Sequence, residues 1–288
     1  MNKIKFTIIA KYWFLPEGIY NILAACLRSF KKYFLWQKLI KETKIVSRNK
    51  RFKGLHQGQR CFILGCGPSI QQQNLKLLKG EICISVSNFF VHPDFNLIRP
   101  RYHCIGPLHS PFKRQDYERW FKVMGPYMEG TSLFLGYKDR DIVVQNKLFN
   151  DDSVYYLDFD DARARFYNKK FELTGCLPSV SSVSVMGLML AVYFGFSEIF
   201  LLGIEHSAFN MEGKYEYRHF YKGKDVFCSG EISNFADLES EFICLESLWK
   251  QYKLIRSNAY SKGIKICNAA RGGLLDLFPR VEYESLFK

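Results

Sequence analysis

RCFILGCGPSI, residues 60–70, decides the fold of this chain. Its first part, residues 61–64, is a continuous apolar run, which is typical of a strand buried on both faces of a parallel sheet. The glycines in residues 65–69 allow a sharp turn and a close approach of the backbone to a ligand. Pro68 suits the first turn of a helix, whose N-terminal N–H groups attract anions. The stretch therefore predicts a strand, a glycine turn and a helix start that could hold a phosphate.

Six further apolar segments predict the other strands of the sheet. They cover residues 82–86, 102–105, 132–135, 154–157, 199–202 and 264–267. In an open parallel sheet, ligands bind beyond the carboxyl ends of the strands. The polar side chains that stand at such ends are Ser69, Asn88, Glu205, His206 and Asn268. The sequence therefore predicts an α/β fold, with a Rossmann-like, mostly parallel sheet flanked by helices and a polar site at its carboxyl edge.

A serine-rich segment opens the helix predicted for residues 179–196. Serine hydroxyls commonly cap a helix N-terminus by accepting a backbone N–H, and one of these serines is expected to do so. The others, with Ser181 and Ser182 among the candidates, could bind an anion or a ribose, because a helix N-terminus attracts negative charge. Both interpretations stay open from the sequence.

The net charge of +13 is concentrated at the N-terminus. Residues 1–60 hold 14 of the 41 basic residues and two of the 28 acidic ones, so the remaining 228 residues are nearly neutral. A neutral body argues against a nucleic-acid-binding protein, and a basic leader, residues 1–57, indicates an anionic partner for that segment alone.

Apolar side chains in the leader recur every three or four residues between positions 19 and 34, with basic residues around them. Such an amphipathic helix favours a membrane interface, where each basic residue adds about 1 kcal/mol beside anionic lipid. We therefore expect residues 1–50 to bind an anionic membrane surface. Packing on the body or a homo-oligomer contact is the alternative. No uncharged apolar stretch reaches the roughly 18 residues of a spanning helix.

Nine cysteines are scattered along the chain, with no CxxC pair among them. Cysteines inside apolar strands indicate free buried thiols in a reducing compartment. Zinc sites need clustered ligands with a defined spacing, so no metal site is expected.

Three of these features together resemble a known family. They are GxGPS after the first strand, Asn88 after the second, and the serine-rich helix leading into GFSEIFLLGIEHS, residues 195–207. This combination resembles the bacterial sialyltransferases of glycosyltransferase family 42 and, more closely, related capsule and surface-polysaccharide proteins. That second group includes hydroxymethylpterin diphosphokinase-like and flagellin nonulosonic-acid transfer proteins. Its C-terminal pattern is similar to residues 263–287 here, and the resemblance covers about residues 58–288.

The resemblance implies a single-domain glycosyltransferase variant of the Rossmann fold, with a lid at about residues 207–235. It implies an inverting, metal-independent transfer of sialic acid, Kdo or a similar sugar from a CMP-activated donor, without a cofactor. The acceptor would be a glycan or a lipid-linked sugar in capsule or lipopolysaccharide synthesis. The protein is then expected to be cytoplasmic and peripheral at the bacterial inner membrane, where such acceptors are found. Strand ends and resemblance together predict these nucleotide- and donor-binding residues: Gly65, Cys66, Gly67, Pro68, Ser69, Asn88, Gly106, Pro107, Ser181, Ser182, Gly203, Glu205 and Asn268.

Transfer to a sugar hydroxyl needs a general base, and histidine is the side chain best suited to that role near neutral pH. His206 follows the IFLL strand beside Glu205, and His219 lies in the aromatic-rich segment KYEYRHFY, residues 214–221. The family places its base in such a lid, but either histidine could serve. Tyr221 could donate a hydrogen bond to the departing phosphate.

Two other functions remain open. A diphosphokinase-like phosphotransferase would use ATP and Mg²⁺, for which Asp160 and Asp161 are candidate ligands. A non-catalytic nucleotide-binding or scaffold protein of a polysaccharide complex is the other. Cys66 stands where the family usually has Asn, which keeps this possibility open.

Overall fold

A computed structural model describes residues 45–109, 112–161, 171–207, 219–221 and 238–288, with six isolated helical positions between 26 and 37. Most of the predicted leader and most of the predicted lid lie outside these residues. The statements below concern the described residues.

Eight strands form one sheet in which every described pairing is parallel. The strands are β1 (Arg60–Leu64), β2 (Cys83–Val86), β3 (Tyr102–Cys104), β4 (Ser132–Gly136), β5 (Val154–Phe159), β6 (Cys176–Leu177), β7 (Glu198–Leu202) and β8 (Lys265–Asn268). Their order is β6-β5-β4-β3-β2-β1-β7-β8. The predicted α/β fold with a parallel sheet flanked by helices is confirmed. The short strand β6 is an addition that the sequence did not predict.

The winding of the chain reverses once. From β1 the strands run outward in sequence order to β6, and the chain then returns to place β7 on the other side of β1. In such sheets the crevice at the reversal, beyond the carboxyl ends of the strands, is the usual place for a ligand. The register pairs Leu64 with Leu202, so the two strands at the reversal end side by side.

Helices cover both faces of the sheet. The α-helices are α1 (Phe95–Ile98), α2 (Arg114–Met124), α3 (Arg140–Gln145), α4 (Val183–Phe194) and α5 (Leu238–Tyr260). Short 3₁₀ helices span Val46–Phe52, Pro68–Gln72, Leu75–Leu78, Ser87–Val91, Gly125–Tyr127, Tyr137–Asp139 and Tyr283–Phe287. On one face α4 packs against the sheet and beneath α5, and α4 is buried because it is apolar on every side. On the other face, α2, α3 and the C-terminal 3₁₀ helix contribute to one hydrophobic cluster.

The end of the predicted leader packs against the body. Phe52 is 4% exposed, and its ring stacks on Phe194 with centroids 5.1 Å apart. The side-chain amide of Asn49 donates to the carbonyls of Tyr156 and Leu173, each at 2.8 Å. Residues Val46–Phe52 therefore pack against the body although they lie within the predicted leader. The division of the chain into a leader and a nucleotide-binding domain stays a prediction.

Before residue 45, the described positions include two exposed aromatic residues four apart, Phe30 (57%) and Phe34 (68%). Across the parts of the chain that the structure describes, no helix combines the length and apolarity needed to cross a bilayer.

Candidate active site

The turn after β1 and the turn after β7 are bonded to each other. The N–H of Gly65 donates to the carbonyl of Leu202, and the N–H of Gly67 donates to that of Gly203, both at 2.8 Å. A Cβ on Gly65 would lie 2.3 Å from the Gly203 oxygen, so only glycine permits this approach. Three predicted residues thus meet at the point where the sheet reverses.

A carboxylate of the protein itself lies inside the glycine turn. The Ser69 N–H donates to Oε1 of Glu205 at 3.0 Å, and the Ser69 hydroxyl donates to the same oxygen. A Cβ on Gly67 would overlap Oε2, so any side chain at this position would have to displace the Glu205 carboxylate. Burial raises the pKa of Glu205, although both Ser69 bonds favour its charged form. The donors of Ser69, predicted to meet a phosphate, hold Glu205 instead.

The helix predicted after the turn is shorter than expected. Pro68 opens a 3₁₀ helix of five residues that ends at Gln72, and so short an element adds little of the dipole that attracts anions. Cys66 lies buried beside it, with its thiol directed at the Val86 carbonyl, 3.4 Å away. Burial raises the pKa of this thiol, so Cys66 packs between β1 and β2 as a neutral group.

Asn268, at the end of β8, anchors a loop. Its side-chain amide donates to the Leu275 carbonyl at 2.8 Å, and its oxygen accepts the Ala270 N–H at 3.0 Å. The loop returns to the glycine turn, where the Leu274 N–H donates to the Glu205 carbonyl at 2.7 Å. Asn268 is fully buried. It shapes one wall of the site, and its predicted contact with a nucleotide stays a prediction.

The described part of the lid, residues 219–221, lies over the ends of β1 and β2. The Phe220 N–H donates to the Cys66 carbonyl at 2.9 Å, and the Gln71 amide donates to the Phe220 carbonyl at 2.7 Å. The rings of His219 and Tyr221 stack at 5.0 Å, nearly parallel. Both lid candidates are therefore next to the glycine turn.

Asn88 links the lid to α2. Its amide donates to the Tyr221 hydroxyl at 2.9 Å, and its oxygen accepts the indole N–H of Trp120 at 2.7 Å. Asn88 is fully buried. The sequence placed Asn88 correctly at this edge but did not reveal Trp120, whose helix carries no motif.

The loop after β3 faces an unexpected carboxyl group. The Leu108 N–H donates to both oxygens of Asp139, each at 3.2 Å, and the Tyr117 hydroxyl donates to the Gly106 carbonyl at 3.0 Å. Burial raises the pKa of Asp139 to about 7. Gly106 and Pro107 are thus held at the carboxyl edge by residues that the sequence did not single out.

The serines at the start of α4 are engaged by the protein. Ser182 is the N-cap and accepts the Ser184 N–H at 3.3 Å. The Ser181 N–H donates to the side-chain oxygen of Gln251 at 2.9 Å, and its hydroxyl lies 3.1 Å from that of Ser247. The capping interpretation is therefore confirmed for Ser182, and Ser181 joins α4 to α5.

Consecutive residues at the end of β7 point to different partners. Glu205 meets the glycine turn, whereas Nε2 of His206 lies 2.7 Å from the hydroxyl of Tyr252 on α5. His206 has a φ of +52°, and burial lowers the pKa of its imidazole to about 4. The predicted site thus divides into a turn side and an α5 side.

The remaining candidates contact other residues of the chain. The Asp160 N–H donates to the Leu177 carbonyl at 2.9 Å, and Oδ1 of Asp161 accepts the Ser179 N–H at 2.9 Å. Among the described residues, no three His, Cys, Asp or Glu side chains are grouped so that they could hold a metal ion.

Fold and site together define an α/β protein with a candidate ligand site where a parallel sheet reverses. No family model and no curated protein matches the chain. Among solved structures it is similar to the sialyltransferase CstII from Campylobacter jejuni in complex with CMP-3FNeuAc, at 15% identity and a TM-score of 0.43, covering 77% of this chain and 86% of that one. For the same enzyme in complex with cytidine-5'-monophosphate, the identity is 18% and the TM-score 0.41, with 78% of this chain and 85% of that one covered. Likenesses of this size assign neither a family nor an activity.

Proposed function

We propose that this protein is a glycosyltransferase of surface-polysaccharide synthesis. It transfers sialic acid, Kdo or a similar sugar from a CMP-activated donor to a glycan or a lipid-linked acceptor. The reaction we propose is inverting and independent of metal ions and cofactors. The resemblance of GxGPS, Asn88 and the serine-rich helix to family 42 motifs supports CMP as the nucleotide.

The observation that carries the proposal is the lid contact. Residues 219–221 close over the ends of β1 and β2 through Cys66, Gln71 and Asn88. A transferase must exclude water from an activated sugar, because water competes with the acceptor hydroxyl. A lid that brings an imidazole and a phenol to the strand ends meets this requirement and completes the site at the same time.

Each group near the turn has a role in this proposal. His219 would remove the proton from the acceptor hydroxyl. Tyr221 would donate its phenolic hydrogen to the departing phosphate. Its oxygen already accepts from Asn88, a bond that fixes the position of the phenol without using its hydrogen. The carboxylate of Glu205 is suited to accept hydroxyls of the nucleotide ribose, as acidic side chains at strand ends do in related folds.

We also propose that the leader binds an anionic membrane, at the cytoplasmic face of the inner membrane. Its excess of basic residues and the exposed rings of Phe30 and Phe34 support this. A lipid-linked acceptor would be within reach there. Deletion of residues 1–44, which leaves the packed segment from Val46 intact, should abolish sedimentation with anionic liposomes. Equal sedimentation of the full and shortened chains would contradict the membrane proposal and favour a homo-oligomer contact.

Thermal unfolding with CMP, CDP, UDP, GDP and ATP, each with Mg²⁺ and with EDTA, tests the nucleotide. Stabilisation by CMP that is equal in Mg²⁺ and EDTA is the expected result, because a ligand that binds the folded state raises the unfolding temperature. Stabilisation by ATP only with Mg²⁺ would replace the proposal by a phosphotransferase. No response to any nucleotide would favour a scaffold. Release of CMP from CMP-sialic acid or CMP-Kdo in the presence of acceptor then tests the transfer itself.

A further inference from the structure

Four polar side chains form a continuous chain of hydrogen bonds on the α5 side of the site. Nε2 of His206 lies 2.7 Å from the Tyr252 hydroxyl, which lies 2.6 Å from the Ser184 hydroxyl. The Ser184 hydroxyl lies 2.7 Å from that of Ser182. The chain therefore connects the end of β7, through α5, to the N-cap of α4.

The middle of this chain is enclosed by the core. Tyr252 and Ser184 are buried, and the Tyr252 ring meets the edge of Phe278 with centroids 5.8 Å apart. The Trp249 ring lies against His206 at 5.8 Å. Burial raises the pKa of the Tyr252 phenol, so the phenol keeps its hydrogen and can donate it.

The direction of the hydrogen bonds follows from the chemistry of the groups. The Tyr252 hydroxyl has one hydrogen and two partners, so it donates to one and accepts from the other. A phenol is a more acidic donor than a serine hydroxyl, and an unprotonated imidazole nitrogen is a more basic acceptor than a hydroxyl oxygen. Tyr252 therefore donates to Nε2 of His206 and accepts from Ser184. The bond made at one ring nitrogen decides which nitrogen carries the hydrogen.

We propose that Tyr252 is a positioning residue that holds His206 as the neutral tautomer with its hydrogen on Nδ1. In this state the lone pair of Nε2 is committed to Tyr252, and Nδ1 offers an N–H donor. His206 then acts as a hydrogen-bond donor at the end of β7 and leaves the role of general base to His219. This assignment rests on the proposed transferase function for its purpose, whereas the tautomer itself is a property of the protein without ligand.

Nitrogen-15 NMR of the full chain labelled at histidine tests the tautomer without any substrate. Signals that disappear in His206→Gln identify the ring, and their shifts show which nitrogen carries the hydrogen. We expect a single tautomer, protonated on Nδ1, between pH 6 and pH 8 in the wild type. In Tyr252→Phe, which keeps the ring packing on Phe278, the signals should move to the Nε2-protonated form that free imidazole side chains prefer.

Tyr260→Phe is the matched control, because Tyr260 is on the same helix and 85% exposed. It should leave the His206 signals unchanged. Ser184→Ala removes the donor to Tyr252 and provides a second variant if Tyr252→Phe unfolds; it should broaden the signals or mix the two forms. Two results would overturn the assignment. One is a His206 ring protonated on Nε2 in the wild type, and the other is unchanged His206 signals in both Tyr252→Phe and Ser184→Ala.

Activity gives a second readout. Tyr252→Phe should lower kcat/KM about fivefold, the loss expected for one neutral hydrogen bond, without moving the pH at which the base titrates. If the wild type neither binds CMP nor transfers a sugar, the proposed function is wrong. The tautomer seen by NMR would still hold. A shifted pH profile in Tyr252→Phe would instead make His206 the base and overturn the assignment.

Discussion

Two segments of this chain carry the same sequence signal and meet different partners. The glycine turn, residues 65–69, and the start of α4, residues 179–184, both predict an anion site. In the turn, Ser69 holds the carboxylate of Glu205. At the start of α4, Ser181 and Ser184 meet neutral groups of α5, Gln251 among them. The Ser179 N–H meets a carboxylate too, but that carboxylate, of Asp161, is exposed.

The difference shows which segment is suited to a ligand. Donors that hold a buried carboxylate can hold an anion, and residues 219–221 contact the turn beside them. At α4 the same kind of donors join two helices, which is a structural task. If a nucleotide binds here, its phosphate would have to lie beside Glu205 or displace the Glu205 side chain. Ribose hydroxyls, by contrast, could donate to the Glu205 carboxylate. We expect the nucleotide on the turn side.

The largest effect is expected from Gly67→Ala. The new Cβ would overlap Oε2 of Glu205, so the carboxylate must leave the turn and lose both Ser69 bonds. We expect destabilisation of about 3 kcal/mol and loss of the CMP-induced rise in unfolding temperature. In Gly125→Ala the new Cβ would meet only a Phe149 ring atom at 4.0 Å, and this control should change neither. Unaltered stability of Gly67→Ala in urea titration would show that Glu205 does not occupy the turn in solution.

Glu205→Gln should separate activity from stability. Loss of the charged acceptor is expected to lower kcat/KM about 100-fold.

Because burial raises the pKa of Glu205, the folded state retains the carboxyl proton better than the unfolded state. The wild type therefore loses stability as pH rises through the carboxyl range, and the variant should lack this part of the loss. Unfolding between pH 4 and 8 measures it, with Glu239→Gln on exposed α5 surface as control. Full activity in Glu205→Gln would show that the Glu205 carboxylate has no role in binding the donor.

Trp120→Phe tests the connection between the lid and α2. It removes the indole donor to Asn88 and keeps an aromatic ring, so Tyr221 should lose its fixed position. We expect kcat to fall about tenfold with little change in the KM for the donor. Tyr127→Phe, at a half-exposed ring outside this connection, is the control. A change in KM alone would mean that Asn88 serves the donor directly.

Ser181→Ala should have the smallest effect. Its hydroxyl meets Ser247 at an exposed contact, so we expect a loss of less than about 1 kcal/mol in the free energy of unfolding. The CMP dissociation constant should not change. A tenfold weaker affinity for CMP would place the start of α4 in the binding site and remove the contrast between the two segments.

Local sequence patterns were sufficient for seven of the eight strands of the sheet, all but the short β6. Residues 61–64 and 199–202 became β1 and β7 because continuous apolar runs are stable only when both faces are covered. The glycines and polar residues after them were correctly placed at the carboxyl edge for the same reason, since parallel strands share one direction. For the serines at the start of α4, the sequence left N-capping and ligand binding open. The N-cap bond of Ser182 confirms the capping interpretation.

Contacts between side chains of distant segments could not be predicted from the sequence. Trp120, Asp139 and Tyr252 lie on helical elements without a motif, and each acquires its role from a partner more than 30 residues away. The segment from Val46 to Phe52 belongs to the predicted leader and is mostly polar, but its three buried side chains pack it against the body.

The sequence by itself determined that this protein has a parallel sheet with a glycine turn and polar strand ends at one edge, because periodicity and chain direction are local properties. Only the tertiary structure decided which partner each polar group meets. It set Glu205 in the turn and His206 against Tyr252, because the direction of a side chain at a strand end depends on the elements packed around it.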